Sequence, residues 1–432
     1  MSHWFLVRRL YEPRFRGRLL LLLLIVAAGY YVTWSVVQWV TLDATALRFD
    51  FVNYYGGAVA AAHGGDIYAE FKHSWGTQAW VVAYIYPPFF ALVLAPLTHF
   101  GLVAAGRVWL LVVHVAFFTA LALILRAHPE LGRNGRRLFL VAALSFMPLY
   151  LNLKFQQVAT VWLLLVTATL LASLRRRNTA AGIFIALAAS LKVVPVFLIP
   201  MFWRLGRRRI AVVGGVALVV TTLATVLLSP GSWQFFTVVL PRIGLGTANW
   251  DNGSVDGLVS RIVQYAPTVL GAATQSTAKA VIALAVVVVV GLTLWCSRGG
   301  SDDAWTLRLS VAALVTSLLI VSSVTWQHHL VMLLLPLATG LTWILARRAP
   351  AHYAWWLFAA YLLCWMDRRA FPLPAPELVH TAGQVALVLI ATSVKLIGLI
   401  GLWLLLLQML RLERQGAIRQ QTSPRAADQT AA

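Results

Sequence analysis

Asp50 sits in the stretch LRFDFVNYYGGAVAAAHGGDIY, Leu47 to Tyr68, among Phe49, Phe51, Tyr54 and Tyr55. An apolar setting raises a carboxyl's pKa towards the range in which it serves as a general base. On a helix, Asp50, Asn53 and Tyr54 share one face. Asp50 also suits the cap of a short helix over 51–62. Gly56, Gly57, Gly64 and Gly65 allow close backbone approach or tight turns. Much later, SSVTWQHH ends in His328 and His329. Adjacent side chains on a helix point about 100° apart, so one face holds only one of the rings. A two-histidine metal site of the H-E-x-x-H kind needs i, i+4 spacing, which is absent. The chemistry expected is therefore one histidine bonding a carboxylate or a phosphate. Lys154 and Lys192 are rare lysines among many arginines, each beside an apolar run. A lysine so placed needs an anionic partner, and a lipid phosphate is the natural one. Snorkelling to the membrane interface is the alternative.

The elements that must carry these residues are transmembrane helices. The chain has 432 residues, 60% hydrophobic and 11% charged, with mean hydropathy +0.79. Apolar runs long enough to cross a bilayer recur from end to end. The run Leu19–Val40 is too long for a signal peptide and reads as a retained first span. The net charge of +21 comes from arginine clusters beside the spans, as the positive-inside rule places them. No basic-aromatic nucleic-acid motif accompanies them, so nucleic acid is not expected as a partner. Cys296 and Cys364 show no pairing or zinc pattern.

Arg8 to Arg18, Arg126 to Arg137, Arg175–Arg177, Arg204–Arg209, Arg347-Arg348 and the tail from Arg411 should face the cytoplasm. That puts both termini there, with outer loops at about 42–83 and 230–277. Tyr86–Leu97, led by Pro87-Pro88, has no room to cross and should be re-entrant or interfacial. Residues 179–203 should form a hairpin turning near Lys192 and Pro195. The reading is an all-α polytopic membrane protein of about 10–13 transmembrane or re-entrant helices. It forms a single domain over 1–415, with a disordered cytoplasmic tail at 416–432.

On this threading the unusual polar residues gather at the outer face. They are Asp50, Asn53, Tyr54 and Tyr55; Tyr86; Asn152, Lys154, Gln156 and Gln157; Asn249 to Asp256 with Arg261; and Trp326 to His329. A polar cluster drawn from separate spans to one membrane level marks a functional site. Ordinary loop residues in water are the bland alternative. A transporter or flippase for a lipid-linked sugar would instead show discontinuous helices in both halves near the midplane, and no internal repeat is visible. An assembly partner for envelope enzymes would not need an aspartate, histidine and lysine constellation.

The order of blocks carries a resemblance. FDFVNYYGGAVAAAHGGDIY is followed by YPPFFALVLAPLT. Then come NLKFQQVATVWLLLVTATLLASLRRRNTAAGIFIALAASLKVVPVFLIP, NGSVDGLVSRI and SSVTWQHHLVMLLLPL. Together, over about residues 45–340, they resemble glycosyltransferase family 87, polyprenyl-phosphate-mannose-dependent mannosyltransferases of the type C superfamily. The chain departs from the family's Gly-Gln-x-Asn at Phe155-Gln156-Gln157-Val158.

The resemblance implies a membrane bundle whose long first outer loop carries the catalytic aspartate, here Asp50. His328 or His329 matches the family's histidine site. It implies a polyprenyl-phosphate-linked sugar donor and a glycolipid or lipoglycan acceptor, meeting among membrane lipids on the extracytoplasmic face of the cell membrane. Asp50 would deprotonate the acceptor hydroxyl, with inversion at the anomeric carbon. Lys192, Lys154, Arg261 and Tyr86 would attend the donor phosphate. Asn53, Tyr54, Tyr55, Gln157, Asn252 and Trp326 would line the acceptor pocket. No cofactor and no metal are expected.

Overall fold

The computed structural model describes residues 13–43, 50–74, 83–244, 246–265, 275–298, 303–367, 371, 373, 379 and 381–422. Phe49, much of the first outer loop, part of the second and the tail beyond Thr422 lie outside the described residues. Within them the chain is helical and contains no strand. Seven helices are long and apolar enough to cross a membrane. They are α1 (Pro13–Thr41), α5 (Leu102–Ala127), α11 (Arg208–Leu228), α14 (Gln275–Cys296), α15 (Ala304–Val321), the 3-10 start Gln327–Leu333 with α16 (Leu334–Ala346), and α18 (Ala382–Thr422). Residues 416–422, expected as tail, continue that last helix.

Between them run shorter pieces. The segment after α1 holds α2 (Asp50–Ala62) and α3 (Ala69–Ser74), followed by α4 (Pro88–Leu94) with its 3-10 extension Ala95–His99. The α4 pair is too short to cross, as expected, and Pro88 occupies its first turn, where a missing N–H costs nothing. Then come α6 (Gly132–Leu144), α7 (Met147–Lys154), α8 (Ala159–Leu174), α9 (Asn178–Leu191), α10 (Leu198–Arg204), α12 (Leu240–Ile243), α13 (Val255–Tyr265) and α17 (Ala351–Trp365).

Two breaks shape the site. The α6 stretch and α7 meet at a 47° bend, just before Pro148, whose ring cannot continue the preceding helix's hydrogen bonding. The α9 helix stops at Lys192, which is extended at φ −153° and ψ 124°, before the 3-10 turn Val194–Phe197 with Pro195. The break falls at the residues where a hairpin turn is expected. Each break frees backbone from the helix ladder, and irregular backbone at this depth is tolerated where it lines a cavity.

Burial sorts the helices by neighbour. Along α15 and 327–346, 83% of an 18-residue window is buried, against 11% on α1 and α14. The first two therefore form the packed centre, and α1, α11 and α14 turn rows such as Val216, Val219, Val220 and Leu223 outward to lipid. Where α9 crosses α11 the backbones nearly touch. A Cβ on Gly182 would stand 2.8 Å from the amide nitrogen of Gly214, so only small residues permit this crossing. The arginine turns tie helix ends together. Arg207 Nη1 donates to Ser173 O at 2.8 Å, Arg308 pairs with Glu130 at 2.8 Å, and Arg347 grips Glu413 through two bonds of 2.8 and 2.6 Å.

Candidate active site

One cavity of about 590 Å³ collects residues from the segment after α1, from the end of α7 and from the break after α9. Its volume falls within the roughly 300–1,000 Å³ typical of small-molecule sites. Asp50 and Asn53 face it from α2, Tyr86 from the turn before α4, Lys154 from the end of α7, and Lys192 from the break after α9. Trp326, His328 and His329 face it from the segment that begins the 3-10 turn.

The helical spacing of Asp50, Asn53 and Tyr54 is realised, but the three do different work. Tyr54 is fully buried behind the cavity wall, its ring edge-on to Tyr86 at 4.9 Å and to Phe90 at 4.8 Å. Its hydroxyl donates to Gln157 Oε1 at 2.9 Å, and Tyr86 reaches the same oxygen at 3.3 Å. With its oxygen held by two phenols, the Gln157 amide nitrogen is left for Asp50. That nitrogen is buried and makes no short hydrogen bond, yet the amide is near enough to act on the carboxyl. Burial pushes Asp50 up to about 6, while Gln157 and then Lys192 pull it down. A carboxylate that is mostly ionised at neutral pH but more basic than usual is suited to take a proton. Gly57 makes this fold of the segment after α1 possible, because a Cβ there would stand 2.5 Å from the Tyr84 ring.

The histidine pair divides. His329 reaches back to the start of its own turn, accepting from the Trp326 backbone N–H at Nδ1 (3.2 Å), much as a glutamate does in a capping box. With Nδ1 accepting, the ring's N–H is on Nε2, which lies 2.8 Å from Lys192 Nζ. Lys192 also stands 5.5 Å from the centroid of the Trp162 ring, a cation–π distance. An anionic oxygen in this part of the cavity would meet nitrogens from two separate elements. His328 instead packs edge-on to Phe155 at 5.7 Å, and its Nε2 is buried without a hydrogen-bond partner.

Several residues expected at the site do not line the cavity. Tyr54 and Gln157 stand behind it, as described. Tyr55 turns away and donates to Phe100 O at 2.8 Å. Arg261, expected on the donor phosphate, is fully buried and holds the carbonyls of Asn249 and Asn252 at 3.0 and 2.9 Å. A guanidinium with several fixed donors can hold two loop carbonyls at once. Asn252, expected in the acceptor pocket, is a strut. It donates to Thr247 O and Ser323 O at 3.1 and 3.0 Å, and accepts from Thr325 N at 2.9 Å. It thereby clamps the 247–254 loop beside 323–325. Asn152 and Gln156 are buried in the wall and likewise do not line the cavity.

Asp367 lines the cavity and had no sequence signal beyond an acid at the end of a span. Asp251 also lines it, singled out within the polar run 249–256 but with no role attached. Among the described residues, no group of three or more His, Cys, Asp or Glu side chains is placed to hold a metal.

A model of glycosyltransferase family 87 matches residues 84–323. The chain is similar to a polyprenol-phosphate-mannose-dependent alpha-(1-2)-phosphatidylinositol pentamannoside mannosyltransferase of Mycolicibacterium smegmatis. They are 29% identical over 318 residues, 69% of this chain and 70% of the relative. The protein so described from Mycobacterium tuberculosis is 28% identical over 343 residues, 76% of this chain and 73% of its own. A polyprenol-phosphate-mannose-dependent alpha-(1-2)-phosphatidylinositol mannoside mannosyltransferase of M. smegmatis is 27% identical over 324 residues, 69% of this chain and 70% of that one. No solved structure matches the chain.

Proposed function

The chain belongs to glycosyltransferase family 87, and from that premise we propose that it moves a mannosyl residue from a polyprenyl-phosphate-linked donor to a glycolipid or lipoglycan acceptor on the extracytoplasmic face of the membrane. The observation that carries this reading is one cavity shared by a basic carboxylate, Asp50, and a lysine–histidine corner, Lys192 with His329. Transfer to an alcohol from a phosphate leaving group needs both functions within reach of one substrate. The similar mannosyltransferases, named for a polyprenol-phosphate-mannose donor and phosphatidylinositol mannoside acceptors, supply the substrate classes.

Asp50 takes the proton of the acceptor hydroxyl as its oxygen attacks the anomeric carbon. The bond from that carbon to the phosphate oxygen breaks on the opposite side, and its electron pair leaves with the polyprenyl phosphate. One such displacement inverts the centre, so a β-linked donor yields an α-linked product. Lys192 and the Nε2–H of His329 meet the charge that gathers on the departing phosphate, with Lys154 also on the cavity. Val193, Val194, Phe197, Leu240 and Ile243 give the cavity an apolar wall, suited to the first isoprene units. Because the leaving group is a monophosphate already met by lysines, the transfer runs without a divalent cation.

The purified full chain should therefore transfer radiolabelled mannose from polyprenyl-phosphate-mannose to phosphatidylinositol mannoside with EDTA present. No transfer to this or any other mannolipid acceptor would sink the proposal. The pH profile follows from Asp50. The ionised form is the base, so kcat/KM should fall as pH drops through about 6, roughly tenfold per further unit. An ordinary aspartate, near pKa 3.9, would hold its rate to about pH 4. Gln157→Leu removes a group that lowers the carboxyl, so it should move this limb to higher pH. A limb left in place by that change would take Gln157 out of the account.

A further inference from the structure

A second part of the cavity wall is built from other residue types. It is built by Asn249 and Asp251 from the loop before α13, Trp326 and Gln327 from the start of the 3-10 turn, and Asp367 from the end of α17. Asn252 locks the first two segments together, and Gln327 Nε2 reaches Met366 O at 3.5 Å beside Asp367. Asp251 also faces a small neighbouring pocket with Gly253, Met366 and Lys395, to which Asp50, Lys192 and His329 contribute nothing.

Its composition selects a ligand. An indole offers a flat apolar face with a polarised π-system. Carboxylates accept hydrogen bonds and donate none, and each has about four lone-pair sites. Protein contacts of Asp251 and Asp367 thus leave room for ligand hydroxyls. The amides of Asn249 and Gln327 can donate as well as accept. His328, 6% exposed and on the cavity, adds a ring nitrogen with no hydrogen-bond partner among the described residues, and a buried polar atom left unsatisfied costs roughly 1–3 kcal/mol until something bonds it.

We infer that this wall holds the acceptor as a neutral, hydroxyl-rich ring, the terminal sugar of a glycolipid. The ring lies on Trp326, and its hydroxyls bond Asp251, Asp367 and His328 Nε2. The word acceptor rests on the transferase reading; the sugar site itself does not. Its specificity follows from the ring: a glycoside stacks on the indole and offers several hydroxyls, and a phosphate at the same position offers neither.

Binding and turnover separate the two readings. Octyl α-mannopyranoside and octyl phosphate are the probes, titrated by calorimetry into the full chain held in a detergent without a sugar headgroup. Wild type should bind the mannoside, and excess octyl phosphate should not displace it. Trp326→Ala and Asp367→Asn should each weaken that binding about tenfold, the scale of one lost hydrogen bond or stacking contact. Asp251→Asn gives a second conservative probe should either variant melt early. Asp50→Asn should bind the mannoside as wild type does. In transfer assays to octyl mannoside, the wall variants should raise the acceptor KM and leave the donor KM alone.

Unchanged mannoside binding in all three wall variants overturns the inference, as does wild type that binds no mannoside. A raised donor KM with an unaltered acceptor KM also overturns it, placing the donor's sugar there. Selective mannoside binding by a wild type that turns over no donor would leave the sugar site standing and fell the transferase reading instead.

Discussion

Asp50→Asn should abolish nearly all transfer while leaving the protein folded. The amide has the shape of the carboxyl and can keep the contact with Gln157. It cannot take a proton from an attacking hydroxyl. Loss of a general base costs about 10²–10⁴ in rate, or about 3–5 kcal/mol in the barrier. Because burial already disfavours the charged carboxylate, replacing it with a neutral group should not lower the melting temperature. Donor and acceptor binding should persist, since neither depends on the proton transfer. Turnover close to wild type in Asp50→Asn would remove the base from this mechanism, and a collapsed melting temperature would recast the residue as structural.

Lys192→Ala should fail in another way. The ammonium faces a cavity with an apolar wall, where little water screens its charge. A charged hydrogen bond of about 1.5–3 kcal/mol sets the expected rise in donor KM at roughly 10- to 100-fold, with acceptor KM unchanged. A second readout distinguishes this from simple loss of packing. Lys192 lowers the Asp50 carboxyl, so its removal should also move the acid limb of the pH profile upward. His329→Ala should resemble Lys192→Ala in milder form, since its Nε2 stands beside the amine at 2.8 Å. His328→Ala should act on the acceptor KM, following its different surroundings. Equal defects from both histidine variants would show the pair to be packing alone. An unchanged donor KM in Lys192→Ala would return that lysine to the role of an interfacial snorkel.

Much of this architecture is legible in the residues themselves. Apolar runs and arginine turns locate the helices, because a bilayer leaves backbone polar groups few other solutions. Pro88, Pro148 and Pro195 mark where helices start or break, since proline cannot donate to the ladder. Asp50 stands out because an acid between aromatic residues has few structural uses. Those features depend on local chemistry and on the membrane, and a linear reading recovers them.

Packing alone decided the roles of residues whose types look alike. Gln157 and Asn252 are both buried amides in polar stretches. One is turned by two tyrosine hydroxyls towards the candidate base, and the other is spent clamping two loops. Lys192 and Arg261 are both cations expected on a phosphate. A helix break delivers Lys192 to the cavity, while two loop carbonyls hold Arg261 inside. His328 and His329 are neighbours of one type, separated only by which ring meets the lysine of a distant helix. Asp367 reaches the cavity because α17 ends beside the 3-10 turn, a contact between residues far apart in the chain. Residue type and spacing specify what each group can do; which partner it meets depends on long-range packing, and a linear pattern holds no record of that.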